Sequence, residues 1–375
     1  MMRKKSRNNQ QIFNTSELNK SKGLLRNALK TIIMCFILIL LNTGCTKNYR
    51  ILMTPPQNDS NEDAFWETID VEDTELSRSA IIKHMKLCRN TGADSQLIIY
   101  KGKIVSEWYS ERYQEPVGAM SSTKVVASLL IGILNDSGKL NYQDKVKDIL
   151  PGWTGGYRDD VRIVDILTHS AGFEQRTNEK SIGYYEGNKS EFAYNLVPDY
   201  NPAVKYSYSN EGVQLLEPII RAVSQKDTEE FAKKNLFAKI GMNNTAFHSY
   251  GGSPWLYSEL RTTTRDLARL GILMSHSGRW ENQQIVSSDY IERATTPSPL
   301  QNEMGFLWWI LDRNKTVKGF YASGYLNTDI YVFNDYDVVI VRTQAPKMGY
   351  SGKAESGNYF KKAMPIFKKI VGEKR

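Results

Sequence analysis

Hydrophobic positions run together or alternate with polar ones in two pairs of short segments, one pair near each end of the chain. Gln96 to Tyr100 and Ile104 to Tyr109 flank Lys101-Gly102-Lys103, while Asp329 to Phe333 and Val338 to Thr343 flank Asn334-Asp335-Tyr336-Asp337. Runs of this length joined by a glycine or a polar turn predict β-hairpins. Between the pairs the spacing changes to three and four. Val125, Val126, Leu129, Leu130, Ile133 and Leu134 predict one helix, Val213, Leu215, Leu216, Ile219 and Ile220 a second, and Leu267, Leu270 and Leu273 a third. A further helix is expected near residues 75 to 89. A last one follows Phe360, Met364, Phe367, Ile370 and Val371, where Pro365 should kink or restart it. Strands from both ends with helices inserted between them predict an α/β (α+β) fold: a mixed antiparallel sheet built from both chain ends, plus a helical lobe.

The start of the chain follows a different pattern. Ten unbroken apolar residues, Ile32 to Leu41, follow a long basic stretch. Ten helical residues rise only about 15 Å, half of a hydrocarbon core of roughly 30 Å, so the run predicts the core of a signal peptide and not a membrane span. Leu41-Asn42-Thr43-Gly44-Cys45 resembles a bacterial lipobox, with Asn42 where that motif usually has Leu. The expectation is a lipoprotein signal peptide over 1–44, lipidation of Cys45, and an exported protein held on a periplasmic or cell-surface membrane face, the alternatives being ordinary signal-peptide cleavage or an uncleaved anchor. Residues 45–74, polar and acidic with Pro55-Pro56, are expected to be a tether, and 75–375 the folded domain.

Charge sharpens this division. The net charge of +8 suggests a nucleic-acid partner, but residues 1–44 hold eight Lys or Arg against Glu17 alone, which leaves 41 basic and 40 acidic residues after them. No nucleic acid is expected as a partner. With Cys35 in the apolar run and Cys45 lipidated, Cys88 has no cysteine to bridge and is expected to be a small apolar filler.

The chain has no G-x-S-x-G, H-E-x-x-H or Walker sequence. Its four histidines, His84, His169, His248 and His276, have no partners at ligand spacing, so neither a metal nor a cofactor is expected. Ser121 is the one serine followed three residues later by lysine, Lys124. Positions i and i+3 share a helix face, so the amine can reach the hydroxyl. A serine needs a base beside it, and a lysine serves as one in its neutral form, which burial and a helix N-terminus both favour. The structural alternative is a serine cap beside a solvated lysine. Tyr208-Ser209-Asn210 adds a phenol that can pass protons to a leaving group, although Tyr325-Leu326-Asn327 matches the same weak pattern.

Taken in order, Ser121-x-x-Lys124, Leu167-Thr168-His169-Ser170-Ala171-Gly172-Phe173, Tyr208-Ser209-Asn210 and Thr262-Thr263-Thr264-Arg265-Asp266-Leu267-Ala268 resemble the landmarks of the serine β-lactamase-related hydrolases. These include class C β-lactamases, D-alanyl-D-alanine carboxypeptidases, family VIII esterases and 6-aminohexanoate-dimer hydrolases. The similarity runs from about residue 90 to about 370. Gly305-Phe306-Leu307-Trp308-Trp309 and the strands after Ser323-Gly324-Tyr325 look most like the hexanoate-hydrolase and esterase branch. The resemblance implies a β-lactamase/transpeptidase-like fold, with Ser121 as the acylated nucleophile, Lys124 as its base or relay, and Tyr208 as the second proton-transfer group. It implies that Asn210 binds substrate or orients Lys124, and that the N–H of Ser121 and one near Gly324 or Tyr325 form an oxyanion hole. His169 is expected to hold a turn.

Where β-lactamases and carboxypeptidases carry Lys-Thr-Gly or His-Thr-Gly, this chain has Ala322-Ser323-Gly324, without a cation. That weakens substrates bearing a carboxylate, unless Lys318 or Arg342 substitutes. Asn327 and Thr328 also replace the Gly and Gln frequent in this branch. Trp308 and Trp309, with Tyr184, Tyr185, Tyr194 and Tyr200, are candidates either for an apolar substrate pocket or for lobe packing. The resulting expectation is a serine hydrolase that cleaves an ester or linear amide through an acyl-enzyme. The alternatives are a β-lactamase or D-amino-acid carboxypeptidase on cell-wall material, or a penicillin-binding-like surface module without turnover.

Overall fold

The computed structural model describes residues 65–311, 317–346 and 359–372. The expected signal peptide, Cys45 and the tether as far as residue 64 lie outside the described residues. Helix α1 (Arg78–Asn90) starts after Ser77, whose hydroxyl accepts the Ala80 N–H, an ordinary serine N-cap. Strands β1 (Ser95–Tyr100) and β2 (Lys103–Tyr109) form the first hairpin. There follow β3 (Val117–Gly118), α2 (Lys124–Asp136), α3 (Asn210–Gln214), α4 (Leu216–Ser224), β4 (Ala246–Phe247), β5 (Leu260–Thr262) and α5 (Thr264–Ser275). The chain continues through β6 (Trp309–Leu311), β7 (Gly319–Ser323), β8 (Asp329–Phe333), β9 (Val338–Thr343) and α6 (Tyr359–Val371).

The main sheet has the order β6-β7-β8-β9-β1-β2, and every neighbouring pair is antiparallel. Its seam is the pairing of β1 with β9, from Ser95 opposite Thr343 to Tyr100 opposite Val338, which joins the two ends of the domain. Alternate residues face two cores. Leu97, Ile99, Ile330, Val332, Val339 and Val341 belong to one with α5, and Ile98, Tyr331, Phe333 and Ile340 to the other with α1 and α6. Burial on both faces is why these strands read as apolar runs. Close contact with α5 depends on Gly271, where a Cβ would lie 2.4 Å from Val339 Cγ1. Helix α2 is apolar on nearly all sides because it is the centre of the helical lobe and packs against α4.

Two expectations change. Helix α6 runs through Pro365 without restarting; the proline faces solvent, so the Lys361 carbonyl that loses its N–H donor can be hydrated. The ordered domain also begins before residue 75. Trp66 is buried, Thr68 bridges Ile104, and the Ile69 N–H donates to the Ile104 carbonyl at 2.9 Å.

A second sheet, β3-β5-β4, carries the chain from the main sheet into α2. Val117 pairs with Thr262 and Gly118 with Arg261, and the Ala119 N–H donates to the Leu260 carbonyl at 2.8 Å. This fixes the position from which the Ser121 turn starts.

Candidate active site

Met120–Thr123 forms a single 3-10 turn before α2, and Met120 adopts a left-handed φ of 50°. A non-glycine residue held there costs energy and persists only when its surroundings over-determine it. They do so here. The Thr123 hydroxyl donates to the Met120 carbonyl at 2.6 Å and accepts the Leu260 N–H at 2.9 Å, while the Ser122 hydroxyl donates to the Thr328 carbonyl at 2.6 Å. Ser121, between them, remains half-buried with its hydroxyl free of backbone ties. Lys124 is 3% exposed, and its Nζ donates to Ser121 Oγ at 3.1 Å and to the Tyr257 carbonyl at 2.6 Å.

Tyr208 reaches the same point from the other lobe. His169 turns with a left-handed φ of 54°; its carbonyl accepts the Ser207 N–H at 2.8 Å and its Nδ1 accepts the Ser209 N–H at 3.2 Å. The imidazole packs 4.5 Å from the Tyr208 ring, which in turn lies 4.9 Å from Lys124 Nζ. Burial, and then the neighbouring Lys124, lower the His169 pKa to about 3, so the ring is neutral and braces the tyrosine segment. Ser209 caps α3 by accepting the Gly212 N–H at 3.1 Å and donates to Glu211 at 3.1 Å, whose other oxygen accepts the Ile182 N–H at 3.0 Å. Asn210 follows the cap. It makes no hydrogen bond to Lys124, and its buried Oδ1 has no partner among the described residues.

The end of β7 forms the third wall. A Cβ on Gly324 would stand 2.6 Å from the Ala119 carbonyl and 2.9 Å from Met120 Cβ, so only glycine lets the strand lie against the serine turn. The Gly324 N–H donates to the Thr328 carbonyl at 2.9 Å and is thereby occupied, which leaves the N–H of exposed Tyr325 as the strand-side candidate for an oxyanion.

Neither candidate cation is available at this wall. Lys318 pairs with Asp335 at 2.8 Å, and Arg342 is fully buried with donors on backbone carbonyls and Gln344. Ser323 instead donates to Asp329 at 2.8 Å; burial raises that carboxyl to about 6, against the pull of Tyr331, Ser323 and Arg342.

Trp308 does not line the site. It is 0% exposed and packs edge-on against Phe320 in the core. Its neighbour Trp309 points the other way and stacks on Tyr208, ring centres 6.4 Å apart, and on Tyr321 at 6.3 Å. Adjacent strand residues face opposite sides, and a tryptophan pair gives no sign of which is inward. Tyr184 and Tyr185 are exposed, whereas Tyr194 packs on the core and its carbonyl accepts the Trp153 indole N–H at 2.9 Å. Tyr257 and Tyr206 escape any motif: the first acts through its backbone carbonyl, and the second places beside Tyr208 a buried hydroxyl with no partner among the described residues.

Known proteins resemble this chain in sequence and in fold. Residues 91–346 match the family model described as Beta-lactamase. An N-acetylmuramyl-L-alanine amidase of Bacillus subtilis is 27% identical over 142 residues, 34% of this chain and 32% of the relative. A β-lactamase of Providencia stuartii is 25% identical over 145 residues, 37% and 35% of the two chains. The chain thus spans about a third of the length of these curated relatives. In fold it is similar to a Bacillus anthracis protein provisionally named a 6-aminohexanoate-dimer hydrolase, with TM-score 0.69 and 16% identity over 85% of this chain and 90% of that one.

Proposed function

The chain belongs to the β-lactamase family, and from that premise we propose that it is a serine hydrolase forming an acyl-enzyme on Ser121. The observation that carries the reading is Lys124 Nζ 3.1 Å from Ser121 Oγ, with the Tyr208 ring packed against the same nitrogen. In the first step Ser121 Oγ bonds to the substrate carbonyl carbon, the carbonyl electron pair moves onto oxygen, and Lys124, as general base, takes up the hydroxyl proton. Collapse of that intermediate breaks the bond to the leaving alkoxide or amine, which takes a proton through Tyr208. Water then repeats the sequence on the acyl group and restores the serine.

The substrate we propose is an ester or a linear amide. A β-lactam or peptide terminus presents a carboxylate, and neither Lys318 nor Arg342 is free to meet it at the wall Ala322–Gly324. Trp309, stacked on Tyr208, supplies the apolar surface expected of an acyl or aryl subsite. A surface module that only bound such ligands would have no chemical need for serine, amine and phenol in one place. We further propose export and anchoring through a lipidated Cys45, supported by the ten-residue apolar run and the lipobox-like sequence.

The test is turnover by the full-length chain in detergent of a short-chain p-nitrophenyl ester, a p-nitroanilide and a chromogenic cephalosporin, with Ser121→Ala as control. Serine-dependent turnover of ester or anilide with little cephalosporin cleavage is expected. Strong cephalosporin turnover would reverse the substrate order, and full activity of Ser121→Ala would end the acyl-enzyme reading.

A further inference from the structure

Arg342 is the most deeply buried cation among the described residues, 0% exposed on β9, and none of their carboxylates forms an ion pair with it. Nη1 donates to the Leu326 and Asn327 carbonyls, both at 2.7 Å. Nη2 donates to Gln344 Oε1 at 2.7 Å and to the Thr91 carbonyl at 3.0 Å, with Thr91 Oγ1 at 3.4 Å. The guanidinium face also lies 4.6 Å from the centre of the Tyr359 ring on α6. The nearest carboxyl is that of Asp329, opposite Arg342 on the neighbouring strand; it feels the guanidinium charge but is hydrogen-bonded to Ser323 and Tyr331, so the guanidinium donors go to the turn instead. The use of this cation lies in the turn it holds.

That turn is strained and sits against the nucleophile. Leu326 and Asn327 are consecutive non-glycine residues with φ of 64° and 59°, a combination that the chain does not adopt unaided. Arg342 grips both of their carbonyls. On one side of them, Gly324 lies against Ala119 and Met120; on the other, the Thr328 carbonyl accepts both the Gly324 N–H and the Ser122 hydroxyl. The turn and the serine loop are therefore tied through one carbonyl, and the direction of the Tyr325 N–H depends on the two peptides that Arg342 fixes. A planar five-donor fork is suited to this; a lysine has one nitrogen for the same set of acceptors.

We infer that Arg342 is a positioning residue for catalysis: by clamping the Leu326 and Asn327 carbonyls it aims the Tyr325 amide at the oxygen that becomes negative when Ser121 attacks. The inference rests on the acyl-enzyme reading of the site. Arg342 touches no reacting atom, so its removal leaves substrate binding in place and weakens interactions made with the tetrahedral intermediate.

The experiment compares full-length wild type, Arg342→Met, Arg342→Lys and Gln344→Met for kcat and KM on a p-nitrophenyl ester and for affinity toward phenylboronic acid, which forms a tetrahedral adduct with an active serine. Ile366→Ala, which loosens the same buried layer from α6, controls for stability alone. Arg342→Met is expected to lower kcat about 100-fold with KM within about threefold, and to weaken phenylboronic acid in parallel. Arg342→Lys should lose about 10-fold and Gln344→Met less, in the same direction. If Arg342→Met does not fold, the lysine and Gln344 variants decide, since neither empties the site. A kcat within about threefold of wild type in the folded Arg342 variants, or an equal loss in Ile366→Ala, would overturn the inference. Ser121→Ala separates the two levels. If it is inactive while the Arg342 variants keep their kcat, only the positioning role fails; if it is active, the acyl-enzyme reading fails itself.

Discussion

Lys124 gives its shorter hydrogen bond to Tyr257: its Nζ lies 2.6 Å from the Tyr257 carbonyl and 3.1 Å from Ser121 Oγ. The backbone acceptor is a second anchor for the nitrogen, independent of the serine, and helps to hold it within reach of Oγ. A base role and a charge role predict different mutants. Lys124→Met should lose about 10²- to 10⁴-fold in kcat/KM, and Lys124→Arg should lose as much, because arginine keeps the charge but does not give up a proton at neutral pH. Steady-state rates of both variants on a p-nitrophenyl ester check this.

The two adjacent tryptophans should separate stability from selectivity. Trp308→Ala empties a fully buried position and should cost about 3–5 kcal/mol in chemical denaturation. Trp309→Ala removes the ring stacked on Tyr208 and should cost less stability, while raising KM for aromatic esters more than for acetyl esters.

Gly324→Ala places a methyl group 2.6 Å from the Ala119 carbonyl, where backbone has to move. The strand should shift away from the serine turn, lowering stability by about 1–3 kcal/mol and kcat about tenfold. Denaturation curves and ester kinetics on the same preparation measure both.

Stability should fall with acid through two fully buried histidines, His84 and His169. His84 and His169 are held neutral by burial, each with a pKa lowered to about 3, so between that value and the ordinary 6.5 the unfolded chain takes up protons that the native one does not. Asp329, raised to about 6, acts oppositely: it is protonated in the native state where an unfolded aspartate is not. Near pH 5 the two histidines outweigh the one carboxyl, so unfolding free energy should rise with pH between pH 4 and 6, by roughly 1 kcal/mol per pH unit. His169→Gln should remove most of that slope. Urea midpoints at three pH values test both statements.

Much of the frame was legible because it depends on local spacing. The hairpins at 96–109 and 329–343 and the stripe from Val125 to Leu134 have one plausible reading each, and Ser121 to Lys124 is a helix-face relation contained in four residues. What escaped depends on which side of an element faces inward, or on the backbone itself. Trp308 and Trp309 have the same chemistry and opposite faces. The Tyr257 carbonyl and the Thr328 carbonyl have no residue-type signature. Pro365 reads as a break because the sequence does not reveal that its carbonyl partner meets water. Arg342, a candidate for substrate by charge alone, is instead taken up by five acceptor atoms inside the fold.

The central claim is covalent chemistry at Ser121, and its most direct test is mass spectrometry of the full-length chain quenched during turnover of p-nitrophenyl acetate. The account predicts one acetyl group on the peptide containing Ser121, transient in wild type and absent in Ser121→Ala. Steady ester turnover with no acyl group on that peptide, or an acyl group on another residue that persists in Ser121→Ala, would contradict it.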